Sequence, residues 1–353
     1  MYWFGYKTAL PKPTGPYNVG TAEIMSGRGE QSTLGIIDFS EMPLSFFAGW
    51  ILRNTVIPTY QNAPLIQPKD YEETPQLDLQ RLRVLICSHG LGGNRAILSV
   101  LCCELASYGY VAASLDHRDL SASHTYYYPE KEGTEIAEKA KVINVPFKRC
   151  PIDDFETRNK QVNIRAQEER LNLSSLAVFG HSFGGGTTIA ALAKDARLQC
   201  GVCLDAWLFP LGEEVYENIN KPILFINSFA FQWPKNIKRI QRILSGHNGD
   251  FYMFQITQLV RLLLNSSNVF IFRNTGHLTQ TDFAHIIPSF FARRSSSFGT
   301  IPPLTTTSVN NKLCFDFLEA QLGNKEKRTY PLSVNMEDYV LEGTNVDTSN
   351  LDD

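Results

Sequence analysis

The chain has 353 residues, of which 43% are hydrophobic and 20% are charged. This balance is typical of globular proteins, and a single α/β domain can reach this length. The formal net charge of −3 gives no electrostatic reason to expect binding to a polyanion. We therefore expect no nucleic-acid partner.

The beginning of the chain, MYWFGYKTALPKPTGP, lacks the basic segment and the long apolar segment of a secretory signal. Tyr2 stands where N-myristoylation requires glycine. No apolar stretch reaches the ~20 residues of a spanning helix. The seven cysteines form no metal-binding motif, which indicates buried free thiols in a reducing compartment. The sequence therefore predicts a cytoplasmic protein.

Apolar runs and helical segments alternate along the middle of the chain, which divides it into three parts. Residues 1–80 form an extension rich in Pro, Gly and Tyr, 81–325 form the core, and 326–353 form a polar tail. The predicted strands of the core are 83–88, 110–115, 176–179, 200–204, 222–227 and 268–272. The predicted helices are 96–108, 187–196 and 312–322. Near-continuous apolar strands that alternate with helices predict an α/β fold, a mostly parallel sheet with helices on both faces.

The pentapeptide Gly180-His181-Ser182-Phe183-Gly184 matches the G-x-S-x-G nucleophile elbow of α/β-hydrolases. It follows a predicted strand and leads through further glycines into an Ala-rich helix, which is the context that the motif requires. We predict that Ser182 is the nucleophile of an ester hydrolase. The alternative is a glycine-rich turn that carries an inert serine.

A serine nucleophile needs a histidine base and an acid to orient it, and in this fold both follow the serine along the chain. His277 lies in the loop directly after the predicted strand 268–272, so we predict that it is the base, while His247 and His285 remain as alternatives. Asp205 ends the strand 200–204 and is the predicted acid. Two alternatives remain open: Asp205 could cap the following turn, or Asp282 could be the acid.

Ester hydrolysis also needs two N–H groups that bind the developing oxyanion. The backbone amide of Phe183, next to the nucleophile, is one candidate. The other is the amide of Leu91, in the glycine-rich turn 89–93 after the first core strand, since this turn resembles an HG-type oxyanion loop.

Several stretches resemble the platelet-activating factor acetylhydrolases of the intracellular and plasma type. The runs that carry this resemblance are Ser88-His89-Gly90-Leu91-Gly92, Asp116-His117-Arg118-Asp119, Ser121-Ala122-Ser123, the elbow 180–185, Leu204-Asp205-Ala206-Trp207-Leu208-Phe209-Pro210-Leu211-Gly212, and Gly276-His277 with Asp282-Phe283. Thr14-Gly15-Pro16-Tyr17 and Glu342-Gly343-Thr344 extend the resemblance almost from end to end.

The resemblance implies a calcium-independent serine hydrolase with the triad Ser182, Asp205 and His277. It implies cleavage of the sn-2 acetyl, or of short and oxidised acyl esters, of platelet-activating factor and related phospholipids, without a metal or another cofactor. A general carboxylesterase or lipase, and an inactive lipid-binding homologue, are the alternatives.

An apolar island in the extension resembles the helix by which this family contacts lipid surfaces. Phe46, Phe47, Trp50 and Ile51 are the side chains that we expect to enter a membrane or lipoprotein surface. The alternative is a helix that packs on the protein core.

Overall fold

A computed structural model of the chain describes most of the predicted core and parts of both ends. The described residues are 8–21, 55–62, 83–127, 143–168, 176–245, 251–264, 267–292, 295–323, 330, 334–342, 346 and 348–349.

Strands and helices alternate through the described part. The strands are β1 (Thr8–Ala9), β2 (Gly20–Thr21), β3 (Thr55–Val56), β4 (Tyr60–Gln61), β5 (Arg83–Ser88), β6 (Tyr110–Ser114), β7 (His124–Tyr127), β8 (Ile143–Pro146), β9 (Leu176–His181), β10 (Leu198–Leu204), β11 (Ile223–Ser228), β12 (Phe251–Leu264), β13 (Ser267–Asn274) and β14 (Val340–Glu342). The helices are α1 (Ser99–Ser107), α2 (Phe155–Glu168), α3 (Phe183–Lys194), α4 (Glu213–Asn218), α5 (Pro234–Ser245), α6 (Phe283–Ile286), α7 (Ser289–Ala292) and α8 (Pro303–Leu322). Short 3₁₀ turns cover Phe229–Phe231, His277–Gln280 and Met336–Asp338.

The central sheet has the strand order β13-β12-β11-β10-β9-β5-β6, with β14 also paired to β12. The strands from β6 to β12 pair in parallel. The pairs β12–β13 and β12–β14 are antiparallel. The predicted α/β architecture with a mostly parallel sheet is confirmed.

Side chains that alternate along the strands enter two separate hydrophobic layers. In β5, Val84 and Ile86 face the layer formed by α2, α3, α4 and α5. Leu85 and Cys87 face the layer formed by α1 and α8. Because both faces are covered, these strands are apolar at nearly every position rather than at every second one. Of the helices in the described ranges, none has the length and apolar character needed to cross a membrane.

The topology creates a crevice at the carboxyl end of β5. The chain passes from β5 to β6 on one side and later returns to β9 on the other side. Connections that leave neighbouring parallel strands in opposite directions open a ligand-binding crevice at this edge of the sheet. The loops after β5 and β9 contain Leu91 and Ser182, so the fold positions both predicted site elements at this crevice.

Two helices begin earlier than the sequence pattern predicts. The helix α3 begins at Phe183, four residues before the predicted start, because three consecutive glycines conceal its first turn. The helix α8 begins at Pro303, nine residues before the predicted start. A proline in the first turn loses no helical hydrogen bond, and the Thr-rich sequence that follows lacks the apolar period of the later turns.

Both ends of the chain contribute to the structure around the core. The tail supplies β14, and the segment 8–21 packs against α1 through the buried carboxylate of Glu104. This carboxylate accepts hydrogen bonds from the Thr14 amide at 2.9 Å and from the Thr14 hydroxyl. It also accepts one from the Tyr330 hydroxyl at 2.7 Å. Glu104 therefore joins an N-terminal and a C-terminal segment to the first core helix.

Replacing Glu104 with Ala should lower the free energy of unfolding by about 2 to 4 kcal/mol, because it leaves the Thr14 amide and the Tyr330 hydroxyl without their acceptor. Urea unfolding followed by circular dichroism measures this change. The exposed Glu217 provides the control, and Glu217→Ala should change the same quantity by less than about 0.5 kcal/mol. Equal losses in the two variants would contradict the assigned role of Glu104.

Candidate active site

Ser182 lies on a strained turn between β9 and α3. Its φ of 61° and ψ of −117° are rarely adopted by residues other than glycine, and such strain concentrates at functional sites. Hydrogen bonds hold the turn: the Ser182 amide donates to the Leu204 carbonyl at 2.9 Å, and the Ser182 carbonyl accepts from the Trp207 amide at 2.9 Å. The strained conformation is therefore fixed by the neighbouring strand end of β10.

The glycines of the elbow are required by close backbone packing. A Cβ atom at Gly184 would lie 2.0 Å from the carbonyl oxygen of Ser88, and one at Gly180 would lie 2.3 Å from that of Gly184. Both distances are far shorter than any nonbonded contact allows. The turn can approach the end of β5 only because Gly184 has no side chain, and the end of β9 can lie against the first turn of α3 only because Gly180 has none.

Asp205 follows β10 and is fully buried. Its Oδ2 accepts a hydrogen bond from His277 Nδ1 at 2.8 Å and another from the Ser228 hydroxyl at 2.7 Å. Its Oδ1 accepts from the Ser228 amide at 2.5 Å and from Gln280 Nε2 at 3.1 Å. Four donors compensate for the cost of burying the carboxylate.

The His277 ring is fixed on two sides. It stacks on Phe231, with ring centroids 4.1 Å apart, and lies 4.3 Å from the ring of His181. Because Nδ1 donates to Asp205, Nε2 is the nitrogen that keeps a free lone pair. His181 Nε2 donates to the His277 carbonyl at 3.0 Å. Burial, with a smaller contribution from His277, lowers the pKa of His181 well below its usual value, so the neighbouring ring is neutral.

The structure thus joins Asp205 to His277 and holds His277 against His181, the residue before Ser182. Within the described ranges, no hydrogen bond links the Ser182 hydroxyl to the His277 ring. Such bonds are often long in enzymes without substrate and shorten in the complex. The catalytic roles of the three residues remain a prediction that the geometry permits.

The structure separates the alternative residues from this pair. The carboxylate of Asp282 accepts hydrogen bonds from the amides of Ser99 at 2.7 Å and Val100 at 3.1 Å, so it caps α1. His285 Nε2 contacts the Thr307 hydroxyl at 2.8 Å, and burial lowers the pKa of His285 to about 4. His247 lies outside the described residues.

The two predicted oxyanion donors flank Ser182. Phe183 follows it directly, and a Cβ atom at Gly90 would lie 3.1 Å from the Ser182 Cβ, so the loop that carries Leu91 reaches the nucleophile. Within the part of the chain that the structure describes, neither the Leu91 amide nor the Phe183 amide donates to a protein acceptor. Both N–H groups are available, and their role stays a prediction.

One group of three described side chains has the composition of a metal site, namely His181, Asp205 and His277, whose ligand atoms lie within 4.8 Å of one another. These groups already bind each other or neighbouring protein atoms: Nδ1 of His277 donates to Asp205, and Nε2 of His181 donates to a carbonyl. The arrangement is that of a histidine oriented by a carboxylate, as serine hydrolases require.

Sequence reasoning missed three residues that hold the pair in place: Ser228, Gln280 and Phe231. Ser228 ends β11, the strand next to β10, so a polar residue at the carboxyl end of an adjacent predicted strand was a usable signal. Gln280 and Phe231 lie in 3₁₀ turns, and no sequence pattern indicated their contacts. The predicted lipid-contact residues Phe46, Phe47, Trp50 and Ile51 lie outside the described residues.

Comparison with solved structures supports the fold. The chain is similar to a ferulic acid esterase from Streptomyces cinnamoneus, with a TM-score of 0.61 and 16% sequence identity over 96% of this chain and 100% of that one. At this level of identity, the likeness concerns the α/β-hydrolase fold alone.

Comparison of sequences identifies the family. The chain is 31% identical to a platelet-activating factor acetylhydrolase of Bos taurus over 77% of this chain and 64% of the bovine protein, so it spans less than two thirds of that relative. It is 30% identical to the protein of the same name from Gallus gallus over 76% of this chain and 69% of that one. The family profile described as "Platelet-activating factor acetylhydrolase, isoform II" matches residues 44–170 and 169–338. The chain therefore belongs to the platelet-activating factor acetylhydrolase isoform II family.

Proposed function

We propose that this protein is a serine esterase that cleaves the sn-2 acetyl, or a short or oxidised acyl chain, from platelet-activating factor and related phospholipids. The observation that carries the proposal is the 2.8 Å hydrogen bond from His277 Nδ1 to the buried Asp205 carboxylate, beside the strained Ser182. Membership of the acetylhydrolase family and the names of its relatives support the substrate class.

In the proposed first step, Ser182 Oγ attacks the sn-2 carbonyl carbon while His277 Nε2 accepts the hydroxyl proton. Asp205 stabilises the imidazolium that forms and keeps the ring oriented. The Leu91 and Phe183 amides donate to the oxyanion. When the intermediate collapses, the lysophospholipid alkoxide leaves with the proton from His277, and the acyl group stays on Ser182.

In the second step, His277 accepts a proton from water, and the resulting hydroxide attacks the acyl-enzyme carbonyl. Collapse of this intermediate releases the carboxylic acid and returns the proton to Ser182. Calcium independence is also part of the proposal. The imidazole of His277 activates both nucleophiles, the Ser182 hydroxyl in the first step and water in the second, so neither step requires a metal ion.

Aromatic side chains near Ser182 support a preference for short acyl chains. The Trp207 ring lies 5.5 Å from the Phe183 ring and stacks on Phe209 at 5.8 Å. On the other side, Phe231 covers one face of the His277 ring. In this proposal the short acyl group lies beside these rings, whose apolar surfaces suit a methyl group.

Contact with a membrane or lipoprotein surface through Phe46, Phe47, Trp50 and Ile51 is also part of the proposal, as is a cytoplasmic location. Burial of these apolar groups at the headgroup boundary would contribute ~0.8 kcal/mol for each CH₂ group. The phospholipid substrate, which resides in such surfaces, makes this contact useful for catalysis.

The triad is tested by labelling with a fluorophosphonate probe, which forms a covalent adduct with an activated serine. The wild type should be labelled, and Ser182→Ala should not.

Asp205→Asn should lower kcat by about 10⁴-fold because it favours the wrong histidine tautomer. The matched control is Asp282→Asn, a second buried aspartate that caps α1; it should retain kcat within about threefold while it lowers the unfolding temperature. An unlabelled but folded wild type would indicate an inactive lipid-binding homologue.

The acyl preference is tested by comparing rates on the same glycerophosphocholine with acetyl or palmitoyl at sn-2. Steric exclusion of the long chain should lower kcat/KM about 10- to 200-fold, the range that pocket fit provides. Release of the free fatty acid is the measurement, and p-nitrophenyl acetate and p-nitrophenyl palmitate supply a control without the phospholipid headgroup. Faster turnover of uncharged long-chain esters than of acetyl phospholipid would favour a general lipase.

A further inference from the structure

A second buried charge lies beneath the predicted oxyanion hole. Arg165 belongs to α2, and its side chain is completely buried. Its Nε donates to Asp119 Oδ2 at 3.0 Å, and the Asp119 side chain is also completely buried. The Ser121 hydroxyl accepts from Arg165 Nε at 2.9 Å and from Nη2 at 2.6 Å. Asp119 and Ser121 therefore fix the guanidinium plane in one orientation.

The same guanidinium contacts both segments that carry the predicted oxyanion donors. Its Nη1 donates to the His89 carbonyl at 2.8 Å, at the start of the loop that leads to Leu91. Its central carbon lies 4.4 Å from the centre of the Phe183 ring, in a cation–π arrangement. One rigid planar group thus connects two segments that are separated by about ninety residues in the sequence.

The contact at His89 is relayed to the Leu91 amide. The His89 ring accepts a hydrogen bond on Nε2 from the His117 amide at 3.3 Å. Burial and the Arg165 cation lower the pKa of His89 well below its usual value. The neutral ring therefore carries its proton on Nδ1, which donates to the Gly90 carbonyl at 2.7 Å.

The orientation of the Gly90 carbonyl determines that of the Leu91 N–H, since both belong to one planar trans peptide and point in opposite directions. The Gly90 carbonyl also accepts from the Gly93 amide at 3.0 Å. Two donors thus fix this peptide plane, and the Leu91 N–H must point away from them. Any rotation of the His89 backbone would tilt the peptide plane between Gly90 and Leu91 and so change the direction of the Leu91 N–H.

We propose that Arg165 is a positioning residue for the oxyanion hole, which holds the 89–91 loop and Phe183 at the separation that stabilises the tetrahedral intermediate. The inference rests on the proposed function. It assigns to the Arg165–Asp119 pair a role in the transition state without contact to the substrate.

The test compares Arg165→Lys with Arg158→Lys. Arg158 is a matched control: it lies on the same helix, is 1% exposed, and donates to Gln161 at 2.9 Å and to the Cys150 carbonyl at 2.8 Å instead of to the oxyanion loop. Lysine keeps the charge but cannot form the planar fork. Each full-length enzyme is titrated with a fluorophosphonate, so that rates refer to active molecules only.

Arg165→Lys should lower kcat on p-nitrophenyl acetate by about 10- to 100-fold, somewhat less than the loss of a complete oxyanion donor. KM should change less than about threefold, since the defect arises in the transition state. Binding of a trifluoromethyl ketone, which forms an anionic hemiketal on the serine, should weaken by the same factor as kcat/KM decreases. Arg158→Lys should leave all three quantities within about threefold of the wild type.

A milder variant covers the case in which Arg165→Lys does not fold. Ser121→Ala removes the hydroxyl that orients the guanidinium and should lower kcat and trifluoromethyl ketone affinity together, by about 3- to 10-fold. Unchanged kcat in folded Arg165→Lys, a loss confined to KM, or equal losses in the Arg158 control would overturn the inference. An inactive and unlabelled wild type would instead refute the proposed function, so the two failures are distinguishable.

Discussion

The organisation of the site depends on the burial of one carboxylate. Asp205 has no exposed surface, and a buried charge without partners would be prohibitively costly. Its four hydrogen bonds come from Ser228 at the end of β11 and from His277 and Gln280 in the turn after β13. Satisfying this carboxylate therefore brings the ends of three segments together, and the position of the histidine follows from that requirement.

The parallel sheet makes this convergence possible. The carboxyl ends of β5, β9, β10 and β11 lie at one edge, and each contributes a polar group within a few residues of its end. The Ser182 amide donates to the Leu204 carbonyl, and the Asp205 amide donates to the Ile226 carbonyl, at 2.9 and 3.0 Å. Each site residue is thus anchored on the strand next to its own, so small shifts of one loop are resisted by its neighbour.

Sequence reasoning recovered the framework of the fold and site better than their supporting contacts. The strand 83–88 was predicted with the observed bounds because four consecutive apolar residues, 84–87, lie just before a glycine-rich turn. Ser182 was predicted from the spacing of the G-x-S-x-G motif. Asp205 was predicted because it is a charged residue directly after an apolar strand. Ser228 carries a smaller signal, its position at the carboxyl end of a predicted strand. Gln280 carries none, since a single polar residue in a turn indicates neither whether it is buried nor which residue it contacts.

Arg165 shows most clearly why local sequence is insufficient. It lies in a helix whose sequence, FETRNKQVNIRAQE, is polar almost throughout, a pattern that ordinarily indicates a solvated surface. Burial of its face follows from contacts with residues more than forty positions away: Asp119, Ser121 and His89. Only the tertiary structure shows that the Arg165 guanidinium is buried.

The two buried charge networks lie on opposite sides of Ser182. Both consist of buried charged groups with several hydrogen bonds, but they have different roles. Asp205 orients the base, and the Arg165–Asp119 pair supports the loops that flank the nucleophile. Replacement of a buried ion pair by apolar residues is often neutral or stabilising, so stability alone gives little reason to keep Arg165 and Asp119 inside the protein. What an apolar contact cannot supply is direction: a planar guanidinium fixes the His89 carbonyl at a defined angle, whereas dispersion forces would allow the loop to slide. Because the stabilisation of an oxyanion depends steeply on donor geometry, directional contacts at this position are a physical requirement of the chemistry.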